Sequence, residues 1–444
     1  TIGGLTPAGA DATNDLSRLC LEATRAVLSP HTNLSARLHD GSPEWFHEAC
    51  FHCIRTGVGF PALFNDHVLI PGLVDIGIPA EVARDYCLVG CIETHFPGRQ
   101  QPWGDGSGVP GSTHQCLLNA MRRLQREAER SYPRLLALFR EEVREFFETC
   151  AAAVNAHIAR FPVERFPDPF LSVLTRDCIG RARDINGGGA AFTRFFAPGC
   201  GGSGLGTLAD AVAAVKKLVF DDAAVDYDAL MAALDADFEG HEPLRQMLLH
   251  RAPKYGNDDD EVDGIAADLL DTIAGTAMSS PTRIHGGGRF LICAAGNIHN
   301  IRTGRALGAT PDGRHAGEPV SDSTSPHFGR DVKGPTAVLR SMGKTACRRV
   351  LGGRVANLKF EPTLFADQAG VRRFSAITHD FVRRRIQEMQ VNFTGNAVLQ
   401  DAYDHPERHA NLVVRVSGFS AYFTQLQPER SEERRVGKEC RSRW

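Results

Sequence analysis

The sequence has no long apolar run, no strong charge of either sign and no framework of regularly spaced cysteines. No apolar stretch reaches the roughly eighteen residues that a membrane span requires, which predicts a protein without membrane segments. The net charge is -3 and the pI is near 6.6, so nothing predicts binding to nucleic acid or to a membrane surface. The opening residues also lack the basic and then apolar pattern of a secretory signal.

The twelve cysteines are scattered, a usage that favours a reducing, cytoplasmic compartment. Cys50 and Cys53 have the spacing of metal ligands, but no second pair accompanies them and they lie in a helical pattern. We therefore predict no metal site. Residues 201–207 contain a GxGxG pattern without the third glycine or the lysine of phosphate-binding loops, so dinucleotide binding is not predicted either.

What the chain does contain is typical of a globular enzyme: 42% of its 444 residues are hydrophobic and 23% are charged. No repeat, linker or low-complexity segment divides it. Short apolar segments alternate with helical patterns, which predicts an α/β fold. Strands and loops of a barrel are expected over 56–79, and buried strands at 289–296 and 412–414. Helices are predicted at 13–29, 43–57 (capped by Ser42, with Pro43 first), 113–159 (broken at Pro133), 208–218, 227–237, 261–276 and 366–389.

Both ends of the sequence are unusual. The chain begins with Thr1, and residues 430–444 form an abrupt basic tail with few apolar residues. The tail resembles the translation of a sequencing adapter, so we expect a truncated chain with a non-native end; a genuine basic tail or tag is the alternative. Residues 430–444 are left out of the fold prediction.

The most informative stretch is Arg415–Phe423, with the sequence RVSGFSAYF. It follows a strand-like apolar run, and a glycine at such a place usually marks a bulge or a turn. The nine residues, however, resemble the signature of the glycyl radical enzymes. The resemblance implies that Gly418 loses an α-hydrogen and stores an unpaired electron on its backbone carbon. Glycine suits this chemistry because, without Cβ, the radical carbon can flatten between an amide nitrogen and a carbonyl.

A second stretch, DYCLVGCIE at 85–93, places a thiol two residues before a carboxyl. Residues i and i+2 of an extended loop project to the same side, so Cys91 and Glu93 can face one cavity. A neighbouring negative charge raises the pKa of a thiol, which makes Cys91 a poor ionic nucleophile but leaves its S–H bond available for hydrogen-atom transfer. The carboxylate of Glu93 is then available as a general base.

This stretch resembles the loop that carries the thiyl-forming cysteine of glycyl radical enzymes. The separation from Cys91 to Gly418 (418 − 91 = 327) resembles the family's interval. The resemblance covers nearly the whole chain up to about residue 429. Further similar segments are Phe60–Asp66, Lys254–Asp260 (KYGNDDD), Thr310–Arg314, Gly317–Pro319 and Gly334–Ala337.

Within the family, the residues around Cys91 favour the eliminating branch. Pyruvate formate-lyase has two adjacent cysteines for acyl transfer, whereas Gly90 precedes Cys91 here. The Cys-x-Glu pattern resembles glycerol and propanediol dehydratases, hydroxyproline dehydratase, choline lyase and isethionate lyase. Asp105, twelve positions after Glu93 (105 − 93 = 12), resembles the aspartate that binds the substrate hydroxyl; a loop or capping carboxylate is the alternative.

Several residues depart from the family pattern and put the substrate in doubt. Thr94 stands where dehydratases commonly have proline, and Ser417 and Phe419 stand where alanine and tyrosine are commoner. The loop after Glu93 is also lined by residues that are particular to this sequence, namely His95, Phe96, Gln100 and Gln101.

The resemblance implies a ten-stranded barrel of two half-barrels surrounded by helices, here incomplete. Residues 1–300 would form the C-terminal part of the barrel domain with the cysteine loop, and 301–429 the glycine radical domain. It implies no permanently bound cofactor: a radical S-adenosylmethionine activase with an iron–sulfur cluster would install the radical at Gly418. The expected partners are this activase, a small hydroxylated substrate and a second copy in a homodimer.

The expected activity is a radical 1,2-elimination, of the dehydratase or C–N or C–S lyase type. Three alternatives remain open from the sequence. A radical decarboxylase or a formate acetyltransferase-like lyase would use related residues. A truncated fragment would be inactive, because it lacks one half of a closed sheet. A thiol hydrolase would pair Cys91 with a histidine such as His95 or His285.

Overall fold

The computed structural model describes most of the chain, and of Gly104, Asp105, Ile158, Arg289 and residues 195–197 it describes the backbone alone. The residues described are 1–31, 33–100, 104–105, 112–160, 162, 165–192, 195–197, 202–280, 289–294, 296, 299–345 and 348–426. The α-helices are α1 (Asp15–Val27), α2 (Glu44–Ile54), α3 (Asp66–Asp75), α4 (Ala80–Arg84), α5 (Thr113–Gln125), α6 (Tyr132–Arg160), α7 (Pro169–Leu174), α8 (Leu205–Ala214), α9 (Tyr227–Asp235), α10 (Glu242–His250), α11 (Asp260–Ser279), α12 (His299–Ala306), α13 (Pro335–Lys344), α14 (Gln368–Arg383) and α15 (Asn396–Asp404).

Fourteen strands accompany these helices in the described ranges. They are β1 (Ile2–Gly3), β2 (Ser35–Leu38), β3 (Ala62–Asn65), β4 (Cys87–Val89), β5 (Glu93–His95), β6 (Gly104–Asp105), β7 (Phe195–Ala197), β8 (Arg289–Phe290), β9 (Cys293–Ala294), β10 (Gly353–Arg354), β11 (Ala356–Lys359), β12 (Glu388–Asn392), β13 (Val413–Arg415) and β14 (Ser420–Tyr422).

The largest sheet is mixed and has the strand order β1-β2-β3-β12-β11. Strands β1, β2 and β3 are parallel to one another, and so are β11 and β12; the two groups meet antiparallel at β3 and β12. Phe64 pairs with Glu388, and Gln390 pairs with Asn357. The predicted α/β fold is therefore confirmed. Among the described strands, the pairings form separate sheets and no closed ring.

Two hydrophobic cores support this sheet. The larger is built mainly from the helices, with α5 against α6 and α11 against α8. The smaller lies beside β3 and contains Phe64, Tyr86, Ile92 and Leu351. Because Ile92 follows Cys91 directly, this second core fixes the segment that carries the candidate thiol.

Most predicted helices are present, and the predicted region 113–159 does contain two helices, but the break lies at 126–131 and Pro133 is the second residue of α6. Helix α2 begins after Pro43, which is its N-cap residue, so the predicted cap was wrong by one position. The Ser42 hydroxyl instead accepts a hydrogen bond from the N–H of His39 at 3.0 Å.

Residues 56–79 do not consist only of strands and loops, because α3 follows β3 and contains Pro71. Proline has no N–H to donate to the carbonyl four residues earlier, that of His67. Arg385 supplies the missing donor at 3.2 Å, which lets the helix pass through the proline.

The predicted helix over 366–389 was wrong at its end. Helix α14 stops at Arg383, Arg385 adopts a left-handed backbone with φ 59°, and the chain enters β12 at Glu388. Strand β12 was missed because its alternate residues, Glu388, Gln390 and Asn392, are polar and yet buried. These residues alternate with Met389 and Val391, so the period of a strand is present, but polar side chains are not expected on a buried face.

None of the described helices combines the length and apolar character that a membrane crossing requires. Within the same ranges, no group of three or more His, Cys, Asp or Glu side chains is arranged to hold a metal ion. Residues 430–444, His285 and Gln101 lie outside the described residues.

A buried ion pair ties the sheet to the segment before Cys91. Arg37 on β2 donates to both carboxyl oxygens of Asp66, at 2.9 and 2.8 Å. Asp66 also accepts from the Tyr86 hydroxyl at 2.7 Å and from the Leu5 N–H at 2.9 Å.

We expect Asp66→Ala to lower the free energy of unfolding by about 3–5 kcal/mol, because it leaves a buried guanidinium without its counter-charge. Tyr86→Phe removes one hydrogen bond to the same carboxyl and should cost only about 0.5–1.5 kcal/mol. Urea denaturation followed by circular dichroism measures both values. Equal losses in the two variants would contradict a dominant role for the ion pair.

Candidate functional site

The Cys91 hairpin, residues 87–95, consists of β4 and β5 and places three residues at its tip. Val89 pairs with Glu93, which leaves Gly90, Cys91 and Ile92 between the strands. Ile92 is 1% exposed and packs into the smaller core. Gly353 has a φ of +112°, and a Cβ on it would lie 2.4 Å from the Ile92 side chain. Because Gly353 has no side chain, Ile92 has room to pack against it. This packing holds the Cys91 backbone in place.

The Gly418 hairpin, residues 413–422, consists of β13 and β14, as expected for the apolar run that precedes the glycine. Arg415 pairs with Ser420, and the tip closes with a hydrogen bond from the Val416 N–H to the Phe419 carbonyl at 2.8 Å. Ser417 Oγ accepts from the Gly296 N–H at 3.2 Å, and Ser420 Oγ donates to the Val58 carbonyl at 2.8 Å. The two hydroxyl residues beside the glycine thus anchor the tip to the rest of the fold.

The tips of the two hairpins meet at Gly418 and Cys91. A Cβ built on Gly418 would lie 2.2 Å from Cys91 Cβ and 2.9 Å from Cys91 Sγ. The φ of Gly418 is +80°, a conformation that side chains other than glycine rarely adopt. Both the backbone geometry and the close approach therefore require glycine at this position. The structure brings together two residues that are 327 positions apart (418 − 91).

The Glu93 carboxyl lies beside the same tip. Its Oε2 accepts hydrogen bonds from the N–H groups of Cys91 and Ile92, both at 2.9 Å. Its Oε1 has one hydrogen-bond contact in the described part of the chain, Cys293 Sγ at 4.0 Å. One oxygen thus fixes the hairpin tip, while the other remains available to a further donor. Cys293, on β9, was not singled out from the sequence.

The Cys91 thiol is held in its protonated form. Its pKa is raised to about 11, first by burial and then by the negative charge of Glu93, against the opposing effect of Arg415. In the described residues no hydrogen bond joins Cys91 to His95, whose own pKa is lowered by burial. The arrangement suits hydrogen-atom transfer from S–H and lacks the base that a thiolate nucleophile needs.

Strand β12 turns a polar face toward the Gly418 hairpin. Asn392 accepts from the Arg415 N–H at 2.7 Å and donates to its carbonyl at 3.0 Å, so one side chain docks the hairpin backbone. Gln390 Oε1 accepts from the Gly418 N–H at 3.1 Å and from Arg415 Nε at 2.6 Å. These contacts were missed because the predicted helix extended to residue 389 and no strand was predicted at 388–392. The one available signal was the alternation of Glu388, Gln390 and Asn392.

Glu388 continues this face toward Cys91 and Asp322. It is fully buried, and neither carboxyl oxygen has a hydrogen-bond partner among the described residues. Burial raises its pKa well above the usual range, and the nearby Asp322 raises it further, against the opposing effect of Arg415. Burial therefore favours the protonated form of Glu388, and the Arg415 guanidinium donates to the amide oxygens of Gln390 and Asn33.

Asp105 lies at the end of β6, where it pairs with Ala197 of β7. Its side chain lies outside the described part of the chain, so its predicted contact with a substrate hydroxyl stays a prediction.

Comparison with known proteins identifies the family. The model of the pyruvate formate lyase-like family matches residues 1–293, and the glycine radical model matches residues 320–424. A probable dehydratase of Escherichia coli, YbiW, is 33% identical in an alignment of 449 positions that covers 95% of this chain and 54% of that protein. The isethionate sulfite-lyase of Desulfovibrio desulfuricans is 32% identical, over 97% of this chain and 53% of its own.

Among solved structures, the B12-independent glycerol dehydratase of Clostridium butyricum, with glycerol bound, superposes with a TM-score of 0.91 and 30% identity. The match covers 98% of this chain and 56% of that one. The chain thus spans about half the length of the relatives it matches. It contains a glycine radical domain whose glycine touches the thiol of the preceding domain, and it belongs to the pyruvate formate lyase-like family of glycyl radical enzymes.

Proposed function

We propose that the protein containing this chain is a glycyl radical lyase that eliminates a leaving group from a small hydroxylated substrate. The observation that carries the proposal is the contact between Gly418 and Cys91, in which a Cβ on the glycine would lie 2.9 Å from Sγ. Because this Cβ would be bonded to the α-carbon, the thiol is a direct neighbour of the α-carbon, and a radical there can take the hydrogen atom of the thiol. The products are an intact glycine and a thiyl radical on Cys91.

The protonation state of Cys91 supports this role. Hydrogen-atom transfer needs the S–H bond, and a thiol with a pKa of about 11 keeps it at neutral pH. A hydrolase would need the thiolate and a nearby base, and no hydrogen bond to a histidine activates Cys91 in the described residues. The site therefore favours radical over nucleophilic chemistry.

The thiyl radical then takes a hydrogen atom from the substrate carbon that bears a hydroxyl, which restores Cys91 S–H. The substrate radical makes its hydroxyl far more acidic, and Glu93 accepts that proton through Oε1. The neighbouring leaving group departs as sulfite, as amine, or as water that takes up the proton held by Glu93. The product radical recovers a hydrogen atom from Cys91, and the thiyl recovers one from Gly418. Exclusion of water protects the radicals throughout.

Elimination is favoured over acyl transfer because Gly90, and not a second cysteine, precedes Cys91. The names of the relatives include dehydratases and a sulfite-lyase, which are activities that eliminate water or sulfite. A decarboxylase would use the same thiol and carboxylate. Asp105 is proposed to bind the substrate hydroxyl.

We also propose the activase, the homodimer and the barrel that the family resemblance implies. A radical S-adenosylmethionine activase with an iron–sulfur cluster would remove the Gly418 hydrogen, and two copies would form a homodimer. The antiparallel junction of two parallel strand groups, at β3 and β12, supports a barrel of two half-barrels around the hairpin tips.

Gly418→Ala is expected to abolish the organic radical signal in electron paramagnetic resonance spectra after anaerobic activation. The protein is expressed from the whole reading frame that contains this chain. Gly57→Ala is the matched control, because Gly57 also has a positive φ, +91°, but its Cβ would meet nothing within 4 Å. An undiminished signal in Gly418→Ala would refute the assignment of the radical to this residue.

Glu93→Gln is expected to keep the radical and to lower kcat by about 10²–10⁴-fold, because the amide can still accept from the hairpin N–H groups but cannot take a proton. Asp85→Asn, which removes an exposed carboxyl near the base of the same hairpin, should leave turnover unchanged. Turnover is measured by product formation under anaerobic conditions with the diols and sulfonates that the named relatives suggest. Full activity of Glu93→Gln would remove Glu93 as the base.

The rate of alkylation of Cys91 by iodoacetamide should rise with a midpoint near pH 11, since burial raises the pKa of the thiol to about 11. In Glu93→Gln the midpoint should move to lower pH, because the negative charge that raises the pKa of Cys91 is removed. Peptide mass spectrometry across a pH series measures both curves. A midpoint near the ordinary value of about 8.5 would contradict a protonated, hydrogen-donating thiol.

A further inference from the structure

We propose that Gln390 and Asn33 are positioning residues that stabilise the Gly418 radical by hydrogen-bonding the two groups over which its spin spreads. The inference rests on the proposed radical at Gly418. The Gly418 N–H donates to Gln390 Oε1 at 3.1 Å, and the Gly418 carbonyl accepts from Asn33 Nδ2 at 3.3 Å. These are the amide nitrogen and the carbonyl oxygen that flank the radical carbon.

Both hydrogen bonds move spin density away from the α-carbon of Gly418. An acceptor on the N–H increases the electron density on nitrogen, which then donates more strongly to the half-filled orbital on the α-carbon. A donor on the carbonyl oxygen draws spin density toward that oxygen. Each bond therefore lowers the spin density on the α-carbon and stabilises the radical relative to the closed-shell glycine.

The orientation of the Gln390 amide is fixed by its neighbours. The Gly418 N–H and Arg415 Nε can only donate, so Gln390 must turn its oxygen toward them. Its Nε2 then donates to Asn357 Oδ1, and Asn357 Nδ2 donates to Asp322. The side chains of Asp322, Asn357 and Gln390 thus hold the acceptor oxygen against Gly418, and all three residues are buried.

Asn33 also sets the distance between the Cys91 hairpin and the Gly418 hairpin. Its Nδ2 also donates to the Gly90 carbonyl at 2.9 Å, and its Oδ1 accepts from Arg415 Nη1 at 3.3 Å. One amide therefore joins the carbonyl of the radical residue to the peptide group that precedes Cys91. Asn33 lies 385 positions from Gly418 in the sequence (418 − 33), so sequence patterns did not connect them.

The test is electron paramagnetic resonance of the activated protein, expressed from its whole reading frame and labelled with [2-¹³C]glycine. Gln390→Met removes the acceptor, so we expect larger ¹³Cα and α-proton couplings and a radical that decays about two- to tenfold faster, the factor that one hydrogen bond contributes. Gln390→Glu keeps an oxygen toward the Gly418 N–H and should restore couplings and lifetime toward those of the parent. Asn33→Ala should raise the same couplings independently.

Gln387→Met is the matched control. Gln387 is the residue directly before β12, and it is buried. Its Nε2 donates to the Val350 carbonyl at 2.9 Å, away from Gly418. This variant should leave the couplings unchanged even where it lowers stability. Parental couplings and lifetime in both Gln390→Met and Asn33→Ala would overturn the inference. Absence of a glycine-derived signal in the parent itself would instead refute the proposed radical.

Discussion

Contact between the Gly418 α-carbon and the Cys91 thiol is possible only because residue 418 has no side chain. A methyl group there would overlap Cys91 Cβ at 2.2 Å, and the φ of +80° would strain any other residue. The surrounding structure serves this contact: Ile92 anchors one tip in an apolar core, and Ser417 and Ser420 anchor the other. Two short hairpins, each too small to be stable alone, are thus held tip to tip by the larger fold.

The sequence was informative where a residue type is required by its chemistry. Gly418, Cys91 and Glu93 were found because their spacing resembles a known signature, and the structure places them side by side. The helices were found because their apolar periodicity is strong. Helix α3 was missed because a proline normally ends a helix, and the donor that compensates for Pro71 is Arg385, more than three hundred residues away.

The polar support of the site could not be predicted for a different reason. The inward face of β12 carries Glu388, Gln390 and Asn392, whereas strand prediction expects apolar residues on a buried face. Their burial becomes favourable only when a second polar surface, the Gly418 hairpin, is packed against them. Asn33 likewise acquires its partners from two hairpins that are distant in sequence. Such long-range hydrogen bonds leave no local pattern.

The same packing controls the protonation state on which the chemistry depends. Burial is the largest cause of the raised pKa of Cys91, ahead of the charge of Glu93, while Arg415 acts in the opposite direction. Burial raises the pKa of Glu388 and so favours its protonated form, while the guanidinium of Arg415 donates to the amide oxygens of Gln390 and Asn33. Water entering between the hairpins would weaken the effect of burial and lower the pKa of the thiol. A thiolate has no hydrogen atom to transfer, so a dry interface preserves the hydrogen donor as well as the radical.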